Sequence, residues 1–403
     1  MKLSQNINHI PSLPSTTSLK FSSSSLKHPY PKLPQSKNSF TEWELVLQET
    51  KQSKREDKTQ KVQTHPHFSY RRILSNILYC KELKIGKGAF GSVYYGRDLH
   101  LMHHYAVKIQ NPSTNSLNII NDNTYLQKLQ TQKGFPSVIY FGEYKRSKIL
   151  VQELLGPSLD KIFKFCNMKF TLSTVARFGI EMIHRIETIH SHGVLHRDIK
   201  PNNFAFGKYM LFLNAEYNDI YLFDFGLSCN FINEVDNKHY AYSTNNSFVG
   251  TLRYASINTH LGKRQGRRDD LESLIYVLLY FIKGGLPWEG CKAKTKKEKL
   301  EMVQKLKIET GRNTLFNGVP GEIQKIYNYI RELKFEEKPS YFKIEWELNK
   351  LCGNVDKKQM WEWESIVVNN SNKGEWIEKF NDLFQGYPVE RNVLVEQLRN
   401  KYK

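Results

Sequence analysis

The rhythm of apolar and polar positions divides this chain into stretches of different character. Over residues 1–41 few large apolar residues recur at any period. Ser and Pro dominate, as in "SLPSTTSLKFSSSSLKHPYPKLPQS". Such a segment cannot bury enough surface to offset its ordering entropy, so it reads as disordered. Residues 42–78 are mixed, with room for a short helix. From residue 79 the pattern becomes extended. "KELKIGKGAFGSVYYGRDLH" predicts strand, Gly-rich turn and strand; "HHYAVKIQ" and "KILVQELL" each predict a further strand. After "GPSLDKIF" the period turns helical. "STVARFGIEMIHRIETIHSHG" places apolar residues on one helical face and stops at Gly193, and "DLESLIYVLLYFIKGG" is a nearly all-apolar helix with a Gly-Gly stop. The tail "EWIEKFNDLFQGYPVERNVLVEQLRNKYK" also reads as helical. Strands first and helices later predict an α+β fold: a β-rich lobe, then an α-rich lobe, with a cleft between them.

Length and composition fit that picture. The chain has 403 residues, 39% apolar and 13% aromatic, enough for one large domain or two ordinary ones. The longest apolar run, Leu274 to Ile282, falls far short of the ~20 residues that span a bilayer. No compact apolar segment at the N-terminus suggests a secretory signal. A transit peptide is an alternative for the Ser-rich, acid-free start, but no Arg precedes Arg55. Five scattered cysteines, Cys80, Cys166, Cys229, Cys291 and Cys352, lack metal-ligand spacing and read as free thiols of a reducing compartment. A net charge of +19 favours acidic or phosphorylated partners. The run "CKAKTKKEK" could serve as a nuclear-localisation patch, yet no interleaved aromatics or nucleic-acid fold signature accompany it, so nucleic acid is not the expected partner. The expected location is cytoplasmic, nuclear or both.

The candidate chemistry begins at Gly86, Gly88 and Gly91 in "IGKGAFGSV". In a dinucleotide-binding fold this GxGxxG would open a helix; here it runs into the strand-like "SVYYG". It is either a hairpin loop lying over phosphates or an ordinary Gly-rich hairpin. Lys108 in "YAVKI" either faces inward, where it needs an acid or a phosphate, or faces out from an edge. "VLHRDIKPNNFAFG" crowds His196, Arg197, Asp198, Lys200 and Asn203 between apolar residues. Asp198 can orient a hydroxyl, Lys200 can neutralise a transferred phosphate, and Asn203 can hold a metal. In "LFDFGLS", Asp224 offers the hard oxygen ligand that Mg²⁺ prefers. Singly, each has a bland explanation. In this order and spacing they match the protein-kinase template of Gly-rich loop, strand lysine, HRD loop with its Asn, and DFG.

The chain resembles a protein kinase, and the casein kinase I family in particular. "ELLGPSL", "HRDIKPNNF", "GTLRYASINTHLG" and "RRDDLESL" are close to that family's own segments, and Ser256-Ile257-Asn258 stands where most kinases carry Ala-Pro-Glu. The resemblance covers about residues 79–368. It leaves a basic extension over 1–78 and a tail over 369–403. It implies the bilobal kinase fold, ATP and Mg²⁺ as cofactors, and transfer of the γ-phosphate to Ser or Thr. Lys200, two residues after Asp198, follows the Ser/Thr pattern.

By the same resemblance, ATP is bound by Ile85, Gly86, Gly88, Phe90, Gly91, Val93, Ala106 and Lys108, with Glu153 and Leu155 meeting the adenine through backbone groups. Catalysis falls to Asp198, Lys200 and Lys108, and metal binding to Asn203 and Asp224. Arg253, Gly290 and Lys299 match an anion pocket, implying substrates with acidic or phosphorylated residues near the target. Two positions depart from the family. Gln152 is a polar gatekeeper. Asp122 stands where helix C usually carries Glu, so an ion pair to Lys108 needs the helix closer or a bridging water. A neighbouring frame would put Asn121 there and leave no pair. If the pair were lost, the alternative is a nucleotide-binding pseudokinase or scaffold.

Overall fold

The computed structural model describes residues 69–88, 91–99, 103–112, 117–207, 220–353, 361–370 and 374–387. The Ser/Pro-rich start, Phe90, and the residues after 387 lie outside them.

Six strands form one antiparallel sheet: β1 (Tyr70–Arg72), β2 (Ile77–Gly88), β3 (Gly91–Asp98), β4 (His104–Gln110), β5 (Val138–Tyr144) and β6 (Ser147–Glu153), in the order β1-β2-β3-β4-β6-β5. Side chains alternate across a strand, and both faces of this sheet are covered. Tyr105 and Val107 join Ile77, Tyr79 and Val151 on one face. Ala106 joins Cys80, Leu83, Tyr95 and Leu154 on the other, which is also the face of Lys108. A strand buried on both sides explains why "YAV" reads as a continuous apolar run.

The sheet starts earlier than the boundary expected at residue 79. Tyr70 pairs with Cys80 and Arg72 with Leu78, and the Arg97 guanidinium lies 4.5 Å from the Tyr70 ring centroid. The sequence hides this because "YRRILSNILYC" puts two arginines on a short edge strand, a place where charge suits the unpaired side.

Helix α1 (Asn118–Lys128) lies between β4 and β5. After the sheet come α2 (Leu159–Phe165), α3 (Leu172–Ser191), and two short hairpin-like pairs, β7 (Val194–Leu195) with β10 (Cys229–Asn230), and β8 (Phe204–Phe206) with β9 (Ile220–Leu222). Thr171 caps α3 by accepting from Thr174 N. Helices α4 (Ile257–His260) and α5 (Arg267–Lys283) follow, then α6 (Lys296–Glu309), α7 (Arg312–Leu315), α8 (Gly321–Glu332), α9 (Tyr341–Cys352), α10 (Glu362–Asn370) and α11 (Gly374–Leu383).

Helix α5 is buried on every side from Leu271 to Phe281, as a nearly all-apolar helix must be. It ends at Gly284 with φ 76°, a left-handed turn that glycine adopts without strain. Against α5 pack α3 and α8, and α9 packs against both of those, so the helical lobe has one core. Trp361 and Trp363 stack on Phe178 of α3, with Trp363 fully buried. Among the described residues no helix is long and apolar enough to cross a membrane.

Candidate active site

The loop between β7 and β8 is held from beneath by one buried carboxylate. Asp270, in the first turn of α5, accepts from His196 N at 2.8 Å, from Arg197 N at 2.9 Å and from His190 Nε2 at 3.1 Å. Burial alone would raise its pKa. The His190 bond and the backbone donors outweigh burial and hold it below the ordinary carboxylate range. This support fixes a strained residue: Arg197 has φ 64°, unusual outside glycine, and its Nε donates to Leu227 O at 2.7 Å. His196 is fully buried, donates through Nε2 to Phe223 O at 3.2 Å and accepts from Asp198 N at Nδ1. It thus joins this loop to the segment around Asp224.

Asp198 is the hub above that platform. Its Oδ2 accepts from Lys200 Nζ at 2.5 Å and its Oδ1 from Thr251 Oγ1 at 2.7 Å. Lys200 also reaches Thr251 Oγ1 at 3.4 Å. Asn203 donates its amide to Asp198 O at 2.9 Å, which leaves its side-chain oxygen as the atom able to meet a cation. An acid, a lysine, a hydroxyl and an amide therefore converge at one point.

Lys108 organises the second centre. On β4 it donates to Asp122 Oδ2 and to Asp224 Oδ1, each at 2.7 Å. The neighbouring frame is excluded: Asn121 instead donates to Gly226 O at 3.3 Å. No bridging water is needed, because α1 stands close. Asp122 Oδ1 accepts from Phe225 N at 2.9 Å, and a Cβ on Gly226 would lie 3.2 Å from Asn118 Cβ. Burial lowers the Lys108 pKa, but its two carboxylates more than offset this and raise it above the usual lysine value. The two acids differ because their settings differ. The Asp122 side chain is 2% exposed, and burial lifts its carboxyl above the ordinary range despite Lys108. The Asp224 side chain is 39% exposed; Lys108, then Lys200, overcome burial and hold it low. Asp224 adopts φ 67°, a second strained residue next to the loop that carries Asp198.

The glycines of the β2–β3 hairpin have different grounds. A Cβ on Gly91 would strike the Ile109 carbonyl oxygen and lie 3.1 Å from its carbon, so Gly91 serves the sheet itself. On Gly86 it would meet Val93 at an ordinary 3.6 Å, and on Gly88 nothing among the described residues within 4 Å. Ile85, Val93 and Ala106 line the same sheet face as Lys108. Glu153 ends β6, where its backbone N–H donates to Ser137 O at 2.9 Å, and Leu155 follows, buried. Gln152 is buried as well, and its Oε1 lacks a partner among the described residues. Phe90 lies outside them.

The three residues expected to form an anion pocket have different surroundings. Arg253 pairs with Glu289 Oε2 at 3.2 Å and lies 5.2 Å from the Tyr280 ring centroid. Gly290, φ 73°, follows that glutamate. Lys299 is exposed on α6, and among the described residues no hydrogen bond or ion pair joins it to Arg253. An anion there has to compete with Glu289.

Three residues escaped the sequence reading. Thr251 carried no signal beyond its place in "GTLRYAS". Asp270 was one acid of "RRDDLESL". Lys307 is one of several lysines in "KKEKLEMVQKLKIE" with nothing in sequence to mark it, yet it is 4% exposed. It donates to Leu252 O at 2.9 Å and to Ala255 O at 2.5 Å, and stands 4.8 Å from the Tyr276 ring centroid. It thereby fixes the segment that carries Thr251 and Arg253.

The donor set suits Mg²⁺, which takes one or two protein oxygens and keeps water or phosphate for the rest. Asp224 and Asn203 supply two. Among the described residues no cluster of three or more His, Cys, Asp or Glu side chains competes for a cation. The family model for the protein kinase domain matches residues 79–344 of the chain.

Proposed function

The chain belongs to the protein kinase family, and from that premise we propose that it is a serine/threonine kinase of the casein kinase I type. ATP is its phosphoryl donor and acidic or phosphorylated proteins are its substrates. The observation that carries this reading is the convergence of Lys200, Thr251 and Asn203 on Asp198, beside Lys108 and Asp224.

Phosphoryl transfer needs mostly positioning and electrostatic stabilisation. Asp198, held between Lys200 and Thr251, orients the substrate hydroxyl and accepts its proton. Lys200 lies where it can offset charge on the group in transit. Lys108 holds the donor phosphates, with Asp122 fixing its direction. Asp224 and Asn203 would hold Mg²⁺, which when bound neutralises phosphate charge. The open space at Gly88 supports a close approach by something outside the chain, since among the described residues no packing calls for glycine there. The pseudokinase alternative rests on a lost ion pair, and the 2.7 Å contact between Lys108 and Asp122 favours the active reading. The Ser/Thr choice and the casein kinase I type rest on Lys200 and on the segments "GTLRYASINTHLG" and "RRDDLESL".

The test is radiolabelled ATP with casein and with a tyrosine-only peptide. Asp198→Asn should lower the rate ~10²–10⁴-fold, the usual loss for a positioned acid-base group, while ATP still binds. Transfer at the wild-type rate would remove Asp198 from the mechanism. Labelling confined to tyrosine would overturn the Ser/Thr assignment.

A further inference from the structure

The C-terminal segment returns to the cleft. Helix α11 docks beside α2, where Lys379 Nζ donates to Asn167 Oδ1 at 2.9 Å and Lys161 Nζ to Leu383 O at 3.4 Å. Leu383 and Phe384 are buried. The chain then turns, with Tyr387 N donating to Phe384 O at 2.9 Å, and meets the sheet. Gly386 lies against β2 so closely that a Cβ would strike the Lys84 carbonyl oxygen and come within 2.9 Å of Ile85 Cγ2. Its φ of 83° also calls for glycine. Tyr387 packs against the helical-lobe core and equally against the cleft-facing cluster of Leu83, Ala106 and Leu154. Its hydroxyl donates to Gly156 O at 3.4 Å.

We propose that the segment Gly374–Tyr387 is part of the nucleotide site: a strap tying the base of the Gly-rich hairpin to the hinge, with Tyr387 as the outer apolar wall against which an adenine base packs. The proposal rests on the kinase reading for its ligand. Position favours a wall over a plug. Tyr387 takes the carbonyl of Gly156, beyond Glu153 and Leu155. Gly386 touches the root of the hairpin at Lys84 and Ile85, not its tip at Gly88. An aromatic ring at that edge offers a flat face to a base and excludes water from it.

The experiment titrates ATP with Mg²⁺ into the full chain by calorimetry, for wild type, Tyr387→Ala, Tyr387→Phe and Gly386→Val. Thermal melting without nucleotide is measured alongside. Tyr387→Ala and Gly386→Val should weaken ATP about tenfold, equivalent to ~1.4 kcal/mol. Tyr387→Phe keeps the ring and should stay within about threefold of wild type, which corresponds to ~0.6 kcal/mol. The melting temperature of Tyr387→Phe checks that the strap still docks. Unchanged affinity in Tyr387→Ala overturns the strap. Tighter binding overturns it too, because the segment would then be a plug that competes with ATP. Failure of the wild type itself to bind ATP would instead overturn the nucleotide reading on which the proposal rests.

Discussion

Asp122 reaches Lys108 without the extra methylene of a glutamate because α1 is docked against Phe225 and Gly226. Both carboxylate oxygens are in use, one on Lys108 Nζ and one on Phe225 N. The shorter side chain and the closer helix are one adaptation. A sequence can show the first half, a departure from the usual residue, but not the second, which is a distance. It follows that Asp122→Glu does not restore anything. The added methylene has no space beside a side chain that is 2% exposed, and overpacking of this kind costs ~1–3 kcal/mol. The variant should lose stability and about ten- to a hundredfold in kcat/KM with casein, since the helix must retreat and carry the Phe225 contact with it. Chemical denaturation and steady-state kinetics on the same preparation check this. A variant at least as active and stable as wild type would show that α1 moves freely and that the close docking has no role in holding Lys108.

At the scale of elements, β2, β3, β4 and β6 were legible from short apolar, β-branched and aromatic stretches bounded by turn residues, and α3 and α5 from helical period and glycine stops. What the pattern hid has physical causes. In β5 the alternation is broken by Gly142 and by exposed Ile139. In β1 two arginines mask an edge strand. The candidate groups Lys108, Asp198, Lys200, Asn203 and Asp224 were legible as a set because spacing in sequence survives folding; their supports were not. Asp270, Thr251 and Lys307 act through contacts across 50 residues or more. Lys307 is the sharpest case, since nothing separates it in sequence from its solvated neighbours on α6. Burial, only partly offset by Glu272, pulls its pKa down to about 7. The sign is that of a base depressed on folding. Between pH 7 and its unfolded value of ~10.4 the unfolded chain binds the extra proton, so folding is favoured more as pH rises. Relative to Lys307→Met, which cannot titrate, wild type should gain stability from pH 7 to 9 at up to ~1.4 kcal/mol per unit. Below pH 6.5 the difference should be flat. Urea unfolding across that range measures it. A flat difference up to pH 9 would mean that the Leu252 and Ala255 carbonyls and the ring faces keep the proton in place.

The whole molecule carries 59 basic against 40 acidic side chains, and this excess bears on encounter more than on chemistry. Asp198, Lys200, Lys108 and Asp224 already balance one another through contacts of 2.5–2.7 Å, and contacts that short are screened by salt less than distant charges are. The excess lies elsewhere, including the exposed lysines that lead into α6 and the five lysines among residues 1–41. Charges of that kind act over roughly a Debye length, about 10 Å at 0.1 M salt and 3 Å at 1 M. On the proposed reading of acidic substrates, charges of this kind act on the rate of encounter and leave bound-state rates alone. Raising NaCl from 50 to 300 mM should therefore lower kcat/KM for casein several-fold. It should leave kcat within about twofold, and change kcat/KM for a neutral serine peptide far less, because screening acts on the approach of charge. The comparison separates long-range steering from a built anion site at Arg253, where Glu289 already holds the guanidinium. A site of that kind would keep its preference for a phosphorylated peptide at 300 mM, since a bidentate contact is screened less than a distant one. If casein and the neutral peptide respond to salt alike, the net charge is only a solvated surface, and acidic selectivity, where it exists, must come from groups in the cleft.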